Sequence, residues 1–229
     1  MHITKEVTLP AVNKNDATTY YSRVYPDGIR IRTAASGEKT AQFIGEEAVI
    51  SLPNCESDEY GIATILYSVA MKQLQLAAPL PGDAILVIAE GGAEGLIALL
   101  AAKEFSLQTY YLDSTPDSLK AASELGATVY ASAPEMASSI REATSSEGPN
   151  IIIDLSAYEG IVSLVVDNIL SQAGRMVVGT RNKPVDSYQM RMGSYKEINL
   201  FGCDRCTKVA DLSPDTELLL KNLTGVIAF

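Results

Sequence analysis

The residues with the clearest capacity for chemistry are Ala89-Glu90-Gly91-Gly92-Ala93-Glu94-Gly95. They stand between a continuous apolar run, Ala84-Ile-Leu-Val-Ile88, and an Ala/Leu-rich stretch that reads as a helix. Glycines in that place do three things: one makes a tight turn, one lets backbone approach a pyrophosphate, and one lets the helix pack on the strand. The helix N-terminus then faces the phosphate. The spacing is A-x-x-G-x-x-G, and the residues that would hold the phosphate are Gly92, Ala93 and Gly95. Glu90 and Glu94 oppose this chemistry, because like charge weakens phosphate binding in a partly desolvated loop. The same carboxylates also suit the positive end of a helix dipole. Asp113 ends the next strand, where an acid hydrogen-bonds a ribose 2′-hydroxyl and disfavours a 2′-phosphate. It equally suits a capping role before Pro116.

Other kinds of site find little support. The one histidine, His2, lies at the extreme N-terminus, which leaves almost no room for Ser-His, Cys-His or histidine-based metal chemistry. Cys203 and Cys206 form a single C-x-x-C with no second pair to complete a zinc tetrahedron, so they read as ordinary thiols, as does Cys55. No metal site is expected.

These residues need a scaffold. The chain has 229 residues, 47% of them apolar and 20% charged, which allows a real core and excludes disorder. With 18 basic and 28 acidic residues the net charge is −10 and the pI near 4.6, which argues against nucleic acid or an anionic membrane as partner. The longest apolar stretch, residues 96–102, is far below the roughly 18 needed to span a bilayer. The three cysteines are an odd number without a signal peptide and read as reduced, so a soluble cytoplasmic protein is expected.

From Pro81 onward strands alternate with helices. Strands are predicted over 84–88, 108–112, 128–130, 151–154, 175–179 and 198–201. Helices are predicted from Gly95 to Phe105 and over 116–125, 135–144, 160–172 and 214–223. Short connections between them imply right-handed βαβ units, a parallel sheet and a doubly wound α/β domain over 81–229. Residues 1–80 differ in kind. Four short strands, over 20–25, 29–33, 41–44 and 48–52, are separated by turn residues and followed by a helix over 59–76. Such strands are too few for an independent core. Tyr110 and Tyr111 read as strand packing, not as an adenine platform.

Pro81-Gly-Asp-Ala-Ile-Leu-Val-Ile, the glycine loop, Glu124-Leu-Gly-Ala127 and Gly174-Arg-Met-Val-Val-Gly179 resemble the cofactor half of the medium-chain dehydrogenase/reductase superfamily. Gly174 to Arg181, Tyr188-Gln-Met190 and Ile198-Asn-Leu-Phe-Gly-Cys-Asp204 resemble the enoyl reductase domain of polyketide and fatty acid synthases, especially the fungal highly reducing iterative kind. The resemblance runs from Val49 to the C-terminus, and Gly28-Ile-Arg-Ile-Arg-Thr-Ala-Ala-Ser36 is similar to the strand opening the family's substrate half. It implies a Rossmann-type sheet with a truncated β-rich remnant of the GroES-like substrate half.

The departures matter as much. Where the family has a long substrate-binding barrel, Gly37-Glu-Lys-Thr40 joins two strands directly. The family's phosphate-contacting and proton-donating Lys falls on Ser118, and an Asp of the synthase enzymes falls near Pro134. The usual Gly-Gly-Val-Gly of the glycine loop is Gly92-Ala-Glu-Gly95 here. The expectation is therefore a non-catalytic enoyl-reductase-like domain with no catalytic residue and no cofactor. Its role in a polyketide synthase would be structural and dimerising, beside the synthase's other domains, with a trans-acting reductase supplying enoyl reduction. The vestigial cofactor set is Gly92, Ala93, Gly95, Ser114 and Gly179. The alternative is an active NADPH-dependent enoyl-thioester reductase, with Arg181 or Lys183 beside the nicotinamide. A regulatory module binding an adenine-containing ligand is a third option. Homodimerisation is expected through the apolar edge at 198–201.

Overall fold

The uninterrupted apolar run Ala84–Ile88 is buried at every residue, which requires cover on both faces and places it at the centre of a sheet. A computed structural model describes residues 20–24, 29–34, 36–53, 55–144, 147–156, 165, 169–179 and 197–224. The helix expected over 160–172 lies outside these apart from residues 165 and 169–172, and so do His2, Arg181, Lys183 and Tyr188.

Two compact units emerge, one of residues 1–68 with 205–229 and the other of residues 69–204. In the first, β1 (Tyr20–Val24), β2 (Ile29–Ala34), β3 (Lys39–Phe43) and β4 (Ile50–Leu52) form an antiparallel meander in chain order. The β2–β3 register pairs Ile29 with Phe43 and Thr33 with Lys39. Its turn is closed by Ala34 donating to Glu38 O and Gly37 donating to Ala34 O, both at 2.8 Å. Lys39 pairs with Asp58 at 2.6 Å at the start of helix α1 (Asp58–Ala77). The closing helix α5 (Pro214–Thr224) starts at Ser213, whose hydroxyl accepts from the Thr216 amide.

The second unit holds a six-stranded parallel sheet. Its members are β5 (Ala84–Ile88), β6 (Gln108–Leu112), β7 (Thr128–Tyr130), β8 (Ile151–Asp154), β9 (Arg175–Val178) and β10 (Asn199–Gly202), in the order β7-β6-β5-β8-β9-β10. All five pairings are parallel. Helices α2 (Ala93–Lys103), α3 (Pro116–Glu124) and α4 (Ala133–Ala143) connect the early strands. This is the expected doubly wound Rossmann-type α/β sheet with a small antiparallel N-terminal sheet. Strand order, not strand direction, reverses between β5 and β8, which makes their carboxyl ends the topological switch point at which such sheets form a crevice.

The core on one face joins Leu86, Ile88, Tyr110, Ile152 and Met176 to Met136 and Ile140 of α4. Tyr110 and Tyr111 are fully buried, as expected of strand packing. At the other end of the strands Arg175 donates to the Ala77 and Ala78 carbonyls that end α1 and pairs with Asp83 at 2.6 Å. No helix among the described residues is long and apolar enough to cross a membrane.

Candidate functional site

The carboxyl ends of β5, β6, β8 and β9 bring Ala89, Asp113, Leu155 and Gly179 to one rim, held by continued ladder bonds. Ala89 donates to Leu112 O and Leu155 to Ile88 O, while Gly179 donates to Asp154 O. Gly91 and Gly92 follow β5 with φ of 77° and 83°, a left-handed pair that side chains adopt at a cost. Gly92 is the N-cap of α2 and has no side chain to accept from the first-turn amides. Those amides and the helix dipole form a ready anion site.

Gly95 supplies the close approach. A Cβ there would meet Ala89 Cβ at 2.6 Å and the Tyr111 hydroxyl at 2.8 Å, so α2 lies directly on β5 and β6. Ala93 is buried as the first helical residue, Gly92 is exposed, and Ser114 is exposed just beyond β6. These four share the rim that the sequence predicted. Gly179 is on it too, but closely enclosed: an added Cβ would meet Gln73 Nε2 at 2.3 Å and Leu155 Cδ2 at 2.7 Å. Glu90 points into solvent, where screening weakens its repulsion, and Glu94 is half-exposed on the helix.

Asp113 is fully buried. Its Oδ2 accepts from the Gly91 amide and from the Tyr111 hydroxyl, each at 2.9 Å, and its Oδ1 accepts from the Thr115 amide at 2.8 Å. The last of these bonds turns the chain into α3, but Asp113 is not the N-cap of that helix. Thr115 holds that place. Burial, and then the neighbouring Asp113 carboxylate, holds the Tyr111 phenol well above its ordinary value, so it stays a proton donor. Ser118, where the resemblance implies a Lys, is buried beside Tyr111. Two rim residues that the sequence reasoning passed over are Asp154 and Ser156. Asp154 is fully buried at the end of β8 and accepts from the Ser156 amide and hydroxyl at 3.0 and 2.7 Å. An acid closing an Ile-Ile-Ile run was the available signal.

Among the described residues no three His, Cys, Asp or Glu side chains converge as metal ligands. Cys203 and Cys206 are buried and not disulfide-bonded, and half-buried Cys55 donates to Ser57 O, its thiol raised above the ordinary range by burial.

Residues 94–222 match the family described as zinc-binding dehydrogenase. The fold is similar to that of the alcohol dehydrogenase TADH from Thermus sp. ATN1, with TM-score 0.58 and 21% identity over 78% of this chain and 50% of that one. It is also similar to the short chain alcohol dehydrogenase rspB from Escherichia coli CFT073, solved with NADH, with TM-score 0.57 and 17% identity over 96% of this chain and 71% of that one. The CurK enoyl reductase matches with TM-score 0.58 and 16% identity over 93% of this chain and 62% of that one. The chain spans about half the length of the first solved proteins it matches. The expectation of no cofactor is corrected by these matches, which include an NAD-dependent alcohol dehydrogenase and the NADH complex. That expectation gave too much weight to two loop carboxylates, one of which faces solvent, and too little to loop geometry that is intact.

Proposed function

We propose that this chain, which belongs to the zinc-binding dehydrogenase family, holds a nicotinamide dinucleotide at the β5–β8 crevice but does not itself transfer hydride. It acts as a non-catalytic enoyl-reductase-like domain of an iterative polyketide synthase. Its role there is structural and dimerising, with enoyl reduction supplied in trans. The observation that carries this reading is the β2–β3 hairpin. The two strands pair in register through a tight turn, at the point where the resemblance implies the substrate-binding barrel. The small sheet is then the remnant of a substrate half, with no second wall for an enoyl thioester among the described residues.

The amides of Gly92 and Ala93 and the close packing at Gly95 fit a pyrophosphate, and Ser114 and Gly179 stand on the same rim. When bound, the nicotinamide supplies a hydride donor. The chain's own residues bind and orient it, but Ser118 is turned inward to Tyr111, so the family's proton-donating position holds no acid. The test is titration with NADH and NADPH, followed by an assay of nucleotide oxidation with crotonyl thioester. Binding without turnover is expected. Thioester-dependent oxidation would overturn the non-catalytic reading.

The described part of β10 pairs on one side with β9 and ends the sheet, with Leu200 47% exposed. An open apolar edge invites a second copy. A dimer is expected in sedimentation at micromolar concentration, and Leu200→Lys is expected to shift it towards monomer. A monomeric wild-type chain would contradict this.

A further inference from the structure

We infer that Asp113 is a positioning residue that fastens the phosphate loop from beneath, and that the exposed Ser114 beside it reads the adenosine ribose; this rests on the dinucleotide site proposed above. A carboxylate that reads a ribose must turn a free lone pair outward. Asp113 has no exposed surface, and three donors from three places converge on it: the Gly91 amide, the Tyr111 hydroxyl and the Thr115 amide. A carboxylate has about four acceptor positions, so the protein fills most of them itself.

The geometry gives this bond a purpose. Gly91 and Gly92 are the most permissive residues of the loop, and two successive left-handed glycines lose much conformational freedom when ordered. A charge-assisted bond from Asp113 to the Gly91 amide holds the first of them and leaves the following amides to face outward. Tyr111 holds the acid in turn. Its hydroxyl donates to Asp113 and is the atom that leaves no room for a side chain at Gly95. Tyr111, Asp113 and Gly91 thus form one chain of hydrogen bonds from β6 to the loop. On the outer side of the same strand end it is Ser114 that is exposed.

A thermodynamic cycle separates the two roles. ADP and 2′-deoxy-ADP are titrated into the wild-type chain and into Asp113→Asn, Tyr111→Phe and Ser114→Ala, with melting temperature and Gly91 amide exchange followed in parallel. A fastening role predicts that Asp113→Asn weakens both ligands by about tenfold, the size of one charge-assisted bond, with Gly91 exchange accelerated in a folded protein. An acid serving folding alone would lower the melting temperature without changing the affinity of the folded chain. Tyr111→Phe keeps the ring and removes one donor, and should weaken both ligands equally and less. Ser114→Ala should weaken ADP by a few-fold and leave 2′-deoxy-ADP unchanged. If Asp113→Asn weakens ADP alone, Asp113 is the ribose reader and the inference is overturned. If the wild-type chain binds neither ADP nor NADH, the dinucleotide site itself fails, which is a different result.

Discussion

Valine in place of Gly95 is expected to destabilise the parallel-sheet unit by about 2–3 kcal/mol and to abolish dinucleotide binding. Gly95 sits in the first turn of α2 with ordinary helical backbone, so a side chain there meets no conformational penalty. The obstacle is space. A Cβ would lie 2.6 Å from Ala89 Cβ and 2.8 Å from the Tyr111 hydroxyl. Ala89 Cβ is fixed to the backbone at the end of β5 and cannot rotate away. Tyr111 is fully buried and bonded to Asp113. Helix α2 must therefore lift from the sheet, and the amides at its N-terminus move with it. The melting temperature should fall by about 5–10 °C, and calorimetry with NADH should give no heat. Valine at Gly82, exposed and with no atom near its Cβ position but at φ 90°, provides a contrast. That change strains the backbone and leaves the loop in place, so NADH binding should survive.

Much of this unit is legible in the residues. The run Ala84–Ile88 could only be a strand covered on both faces, and the glycines after it mark the crevice. Alternation of strands and helices then determines a parallel sheet. What could not be read is the direction in which side chains turn at the rim. An acid ending β6 suits a ribose, a cap or a buried clasp equally well until Tyr111, Ser118 and Gly91 are brought together, and these come from separate elements. Glu90 and Glu94 misled for the same reason. Sequence puts both in the loop, while the fold turns Glu90 to solvent. Periodicity gives α5 an apolar face without naming what it covers, so its grouping with residues 1–68 was not foreseeable from pattern alone.

Leucine in place of Arg175 is expected to cost about 3 kcal/mol, measured by urea unfolding. Arg175 opens β9 and reaches back across the base of the sheet. One guanidinium nitrogen donates to the Ala77 and Ala78 carbonyls at 3.1 and 2.7 Å, and another pairs with Asp83 at 2.6 Å. Ala78 has φ 45°, so the α1 terminus is held in a left-handed turn by this side chain and by its own backbone bonds. Asp83, only 10% exposed at its side chain, also accepts from the Leu80 amide. Removing Arg175 strands that carboxylate in the interior and leaves the last carbonyls of α1 without their donor. The double change Arg175→Leu with Asp83→Leu should recover part of the loss, because an apolar pair carries no unpaired charge. Equal losses in the single and double variants would mean that the carbonyl contacts, not the ion pair, carry the effect.

The carboxyl ends of β5, β6 and β8 are proposed to hold a dinucleotide in a domain that transfers no hydride. Calorimetric titration of the wild-type chain with NADH tests this most directly. Saturable one-to-one binding in the micromolar range is expected, lost in Gly95→Val. No heat at millimolar NADH, in a chain shown to be folded, would contradict it and leave the sheet as scaffold alone.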